Sequence, residues 1–122
     1  VILNRAEANA KLGNDQKALD DVNVIRTRAG LTGDAQMTLG NYASRGYASV
    51  LDVVLDERRM ELCFESNRPF DLIRNKRNID HRYSGVQPWV EYKYDCDEFL
   101  FAIPHDEISV SGIPQNPGKG TN

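Results

Sequence analysis

The chain contains no apolar stretch of membrane-spanning length, no tract of basic residues and few of the side chains that metal or nucleophile sites need. Its two histidines, His81 and His105, are far apart and lack a partner at ligand spacing. No serine sits in a Gly-x-Ser-x-Gly elbow, and no glycine-rich loop follows a strand. With 15 basic and 18 acidic residues the net charge is −3, which carries no nucleic-acid footprint. The acidic group Asp95, Asp97 and Glu98 lacks the loop pattern of a calcium site and reads as solvated surface. Two cysteines permit one disulfide. Cys63 falls on a predicted helix and Cys96 in an acidic strand-like stretch, so buried free thiols are expected rather than a bridge. No secretory leader is present, and the chain starts at Val1 on residues that already read as helix. That start is expected of a fragment.

The 122 residues suffice for one core, able to bury nearly two thirds of the unfolded surface. Residues 1–30 read as a helical pair. Ile2, Leu3, Ala6, Ala10 and Leu12 supply the apolar side of the first helix; Ala18, Leu19, Val22, Ile25 and Ala29 recur at three- and four-residue steps in the second. Gly13-Asn14-Asp15 is a turn signal with Asp15 as the expected N-cap, and Gly30 suits a helix terminus. Small residues at 6, 10, 18 and 29 permit close approach. The spacing resembles half of a tetratricopeptide repeat, a unit that cannot bury its own face alone. Residues 31–48, rich in Gly, Thr, Asn and Ser, read as loop. Ser49 with Asp52 signals the cap of a central helix over 49–65. Residues 66–122 read as a turn at Pro69, short strands and an irregular tail. Within them Pro88–Tyr94 suits a short extended stretch, Phe99–Ile103 is the best strand, and Asp106 is the expected cap of the turn after Pro104. The fold class is therefore mainly α: a tetratricopeptide-like helical pair plus a central helix, with a short β segment and an irregular C-terminal tail.

The central helix carries charge in an unexpected place. At about 100° per residue, Leu51, Val53, Val54, Leu55, Met60, Leu62 and Phe64 fill one broad arc. Glu57, Arg58, Glu61 and Glu65 fall inside that arc, whereas Asp52, Asp56 and Arg59 fall outside it. Core-facing charges are costly unless paired and hydrogen-bonded. A structural ion network is expected, formed by Glu57, Arg58, Glu61 and Glu65 with Arg68 and Arg74 just beyond the helix. The three glutamates also have the spacing of a metal or acid–base ladder. A di-metal bundle site, however, needs His three residues after a Glu, where this chain has Met60 and Phe64.

The run DERRMELCFESNRPFDLIR (residues 56–74) resembles a signature of the SusD/RagB family. Two further segments agree in order and spacing: Leu3-Asn4-Arg5-Ala6-Glu7-Ala8 through Ile25-Arg26-Thr27-Arg28-Ala29-Gly30-Leu31, and Phe99–Ile108 followed by Gln115-Asn116-Pro117-Gly118. The resemblance implies the C-terminal portion of a surface-exposed, lipid-anchored nutrient-binding protein of the Bacteroidetes outer membrane. Such a protein captures glycans and delivers them to a SusC-like TonB-dependent transporter, without catalysis and without a cofactor. Its anchoring cysteine would lie upstream of this chain, so neither Cys63 nor Cys96 is expected in that role.

The matching motifs hand over no ligand contact. Trp89, Tyr92 and Tyr94 are the candidate ligand-binding residues, because aromatic planes stack on the C–H faces of sugar rings. The same residues would equally serve to cover a core edge. A peptide-binding member of the same family, or a generic helical-repeat interaction module, is the alternative reading. The module would explain the helical pair but leave the run over 56–74 and the segment Phe101–Ile108 unexplained. An enzyme would need groups supplied from outside the chain.

Overall fold

The computed structural model describes residues 1–80, 85 and 90–119. Contacts divide the chain into two compact units, Val1–Arg68 and Pro69–Asn122.

The first unit is built on three helices: α1 (Ile2–Lys11), α2 (Asp15–Arg28) and α3 (Val50–Glu61). Glycine ends the first two in the same way. Gly13 (φ +75°) and Gly30 (φ +83°) adopt the left-handed conformation that is cheap only without a Cβ. Each chain reversal is then closed by paired backbone bonds: Gly13 N–H to Ala10 O and Asn14 N–H to Asn9 O, then Gly30 N–H to Thr27 O and Leu31 N–H to Arg26 O. The N-cap of α2 is Asn14 rather than Asp15, which sits in the first turn facing the positive end of the helix dipole. At α3 the expected cap forms: Ser49 Oγ accepts from Asp52 N–H at 3.2 Å and donates to Asp52 Oδ2 at 2.7 Å.

Ala6 and Ala18 are fully buried, and their small side chains let α1 and α2 approach closely. Leu19, Val22, Val50, Val53 and Val54 complete the core with Met37, which comes from the segment between α2 and α3. Burying each such side chain stabilises the fold by roughly 1.5–3 kcal/mol. That segment is irregular, with 3₁₀ turns at Gly33–Ala35 and Ala43–Arg45, yet its backbone is held by polar side chains. Asn23 of α2 grips Met37 at both ends, accepting from its N–H and donating to its C=O, each at 2.8 Å. Asn41 likewise accepts from Thr38 N–H at 2.8 Å and donates to Gln36 O at 2.9 Å. The grip of Asn23 seats a loop methionine in the core.

The central helix ends at Glu61, four residues before the expected boundary. Beyond it Phe64 (φ +68°) and Ser66 (φ +58°) are left-handed, which breaks the helical repeat. The predicted arc fails at that end: Met60 is 45% exposed and Phe64 wholly exposed. Glu65 is exposed as well, and so is Cys63. Both cysteines are free, and Cys96 is half-buried, so neither is a fully buried thiol.

In the second unit, α4 (Arg68–Arg74) tolerates Pro69 because its first turn needs no N–H. Strands β1 (Ile79–Asp80) and β2 (Glu91–Tyr92) pair antiparallel, with Ile79 opposite Tyr92 and Asp80 opposite Glu91. Residues Phe99–Ile103 do not form the expected strand. Asp97–Phe99 is a 3₁₀ turn, and the following extended residues join no ladder among the described residues. Tail side chains stand in for a neighbouring strand. Gln115 accepts from Ile103 N–H at 2.8 Å and donates to Ile103 O at 3.0 Å, and Asn116 donates to Phe101 O at 2.6 Å. A last helix, α5 (His105–Ser111), starts after Pro104 without a side-chain cap, so Asp106 lies within its first turn rather than capping it.

Candidate functional site

Ion pairs tie the three helices of the first unit together. Glu57 of α3 is buried and pairs with Arg26 of α2 at 2.8 Å; their side chains are 6% and 12% exposed. Arg26 also donates through Nε and Nη2 to Ala35 O, at 3.1 and 2.9 Å, so one guanidinium holds both α3 and the loop. Arg58 is buried, donates to Asn4 Oδ1 of α1 at 2.6 Å and lies 3.8 Å from Glu7. Glu61 pairs with Arg28, whose side chain is 63% exposed, in a solvent-screened position. On the opposite side of α1, Arg5 makes a two-pronged contact with buried Asp21, at 2.6 and 3.0 Å.

The partners thus differ from those expected on α3 and just after it. Glu57 and Glu61 reach Arg26 and Arg28, about thirty positions away in sequence, because α2 and α3 pack side by side. Arg68 donates to Leu55 O at 3.0 Å. Arg74 pairs with Asp71 at 2.6 Å within α4. Arg26, Arg28, Asn4 and Glu7 were missed as network members. The signal was nevertheless present, since all four lie inside the LNRAEA…IRTRAGL segment singled out for resemblance alone. The first motif segment supplies partners of the second, and within the third Gln115 and Asn116 hold Phe101 and Ile103.

Tyr47, Asp56 and Arg59 form a smaller polar group beside α3. The Tyr47 hydroxyl donates to Asp56 Oδ2 at 2.9 Å and Arg59 Nε donates to Asp56 Oδ1 at 2.7 Å. Burial foremost, then the hydrogen bond to Asp56, raises the Tyr47 pKa above its ordinary 10.0. Burial is also the largest influence on Asp56 and pushes its pKa up, but the bonds from Arg59 and Tyr47 together outweigh it, leaving the pKa below the ordinary 3.8.

Of the aromatic candidates, Tyr92 and Tyr94 are half-buried while Glu91 and Lys93 between and beside them are exposed. Tyr92 lies in β2, whereas Tyr94 lies in the turn that follows it. The Tyr92 ring lies 6.1 Å from that of Phe99 at a 60° tilt, a normal aromatic pair. Asn78 supports the ribbon by donating to Glu91 Oε1 at 2.9 Å and accepting from Tyr94 N–H at 3.2 Å. Trp89 lies outside the described residues. Among the described residues no group of three or more His, Cys, Asp and Glu could hold a metal ion. No helix among them is long and apolar enough to cross a membrane.

A helical pair buttressed by a third helix through motif-borne ion pairs is thus followed along the chain by a small ribbon and a side-chain-clamped tail. The SusD family profile matches residues 1–118, and the chain belongs to that family. Its members are nutrient-binding proteins associated with the outer membrane, and they are not enzymes. The chain is also similar to the SusD-like protein P2 of Formosa agariphila, at 29% identity over 122 residues; the match covers 97% of this chain and 24% of the relative. The chain therefore spans about a quarter of that relative's length. No solved structure matches it.

Proposed function

We propose that this chain is the framework portion of a glycan-binding protein at the cell surface. The ligand is held without being changed and passes to a SusC-like TonB-dependent transporter, with membrane attachment through a lipid anchor upstream of this chain. The observation that carries this reading is the family match along residues 1–118. The physical reading of the motifs agrees with it: Arg26, Arg28, Glu57, Arg58 and Glu61 make contacts with one another or with α1, as a load-distributing frame requires. Half-exposed Tyr92 and Tyr94, with Trp89, are the ligand contacts we assign to this chain, since aromatic planes stack on the C–H faces of sugar rings.

The test is calorimetric and fluorescence titration of the full-length protein with a panel of oligosaccharides and peptides, repeated on Trp89→Ala and Tyr94→Ala. Saturable oligosaccharide binding, weakened roughly tenfold or more in either variant, is expected if stacking contributes about 1.4 kcal/mol or more. Binding unchanged in both variants would remove the ribbon from the site and leave this chain as frame. Saturation by peptides alone would replace the glycan with a peptide ligand.

A further inference from the structure

We draw no further inference here: the strongest candidate, the cleft of about 330 Å³ between the start of α1 and the end of α3, has its charged groups Arg28, Arg58 and Glu61 already partnered, so that only its apolar wall of Ile2, Leu3, Ile25 and Leu62 calls for an occupant, and nothing in the structure shows what covers that wall.

Discussion

Replacing Glu57 by alanine removes one member of a buried ion pair that ties α3 to α2. Its carboxylate and the Arg26 guanidinium are 2.8 Å apart with side chains 6% and 12% exposed. Removing one member of such a pair leaves an uncompensated buried charge, which costs about 3–5 kcal/mol. Arg26 would keep its two hydrogen bonds to Ala35 O, so the lower end, about 3 kcal/mol, is expected. Glu61→Ala is the control one helical turn away. Its partner Arg28 is 63% exposed, and a pair so wet contributes about 0–1 kcal/mol. A third variant, Glu57→Met with Arg26→Met, removes both charges and fills the space with apolar atoms. It gives up the two bonds to Ala35 O, at about 1 kcal/mol each, and so should recover only part of the loss and lie about 2 kcal/mol below the parent. The assay is urea unfolding of the full-length protein followed by far-UV circular dichroism, with unchanged slope as the check that only stability has moved. Equal losses for Glu57→Ala and Glu61→Ala would refute the argument, because burial would then not decide the energy. So would a loss below about 1 kcal/mol for Glu57→Ala, which would put that pair at the surface too.

The Tyr47–Asp56 bond predicts a two-sided pH dependence. Asp56 has a lowered folded pKa, so its contribution is present above the ordinary 3.8 and is lost as the pH falls through its folded value. Tyr47 has a raised one, so its contribution is complete below 10.0 and is lost as the pH rises from there through its folded value. Tyr47→Phe should flatten the alkaline loss and cost about 1.5–3 kcal/mol near neutrality, as read from unfolding midpoints between pH 7 and 11; no cost near neutrality would count against the bond, and an unchanged alkaline limb against a shifted Tyr47. Ser49→Ala should cost about 1 kcal/mol by removing the cap of α3, and Ser49→Gly only a few tenths, in the same unfolding assay. Gln115→Ala removes two bonds to Ile103, and at roughly 1 kcal/mol each the Ile103 amide should exchange with solvent about tenfold faster or more by hydrogen-exchange mass spectrometry. An unchanged exchange rate there would mean that the tail is not what protects that segment.

The three helices of the first unit were legible because local chemistry and tertiary packing agree on them, whereas α4 and α5 stood in stretches read as turns. Leu3 and Ala6, then Ala18, Leu19, Val22 and Ile25, repeat at helical spacing, and Gly13 and Gly30 stand where the chain must turn left-handed. Ser49 and Asp52 announced α3 correctly. Its end was not legible, since Phe64 continues the apolar period in the sequence while its backbone leaves the helix. The Phe99–Ile103 segment misleads for a related reason. Its composition is that of a strand, but strand pairing is a property of two segments, and here the opposing groups are the amides of Gln115 and Asn116. β1 went unseen because Ile79 is a lone buried apolar residue in a polar stretch. In the ion network, a helical wheel finds that Glu57 and Arg58 face inward but cannot name what they face. The partners come from neighbouring helices, Arg26 and Arg28 from α2 and Asn4 and Glu7 from α1.

Side-chain amides used in place of strands have a bearing on how such a chain behaves in company. A real strand leaves a far edge of unpaired N–H and C=O groups, on which another copy can add and then another. The amides of Asn23, Asn41 and Gln115 satisfy a stretch of main chain and then stop, because each is a single branch on its own backbone. Met37 and Ile103 are thereby held in register by a partner one residue long. A chain arranged this way can keep long irregular stretches in place while offering little template for polymerisation, and those stretches can change in length without a sheet having to be rebuilt around them.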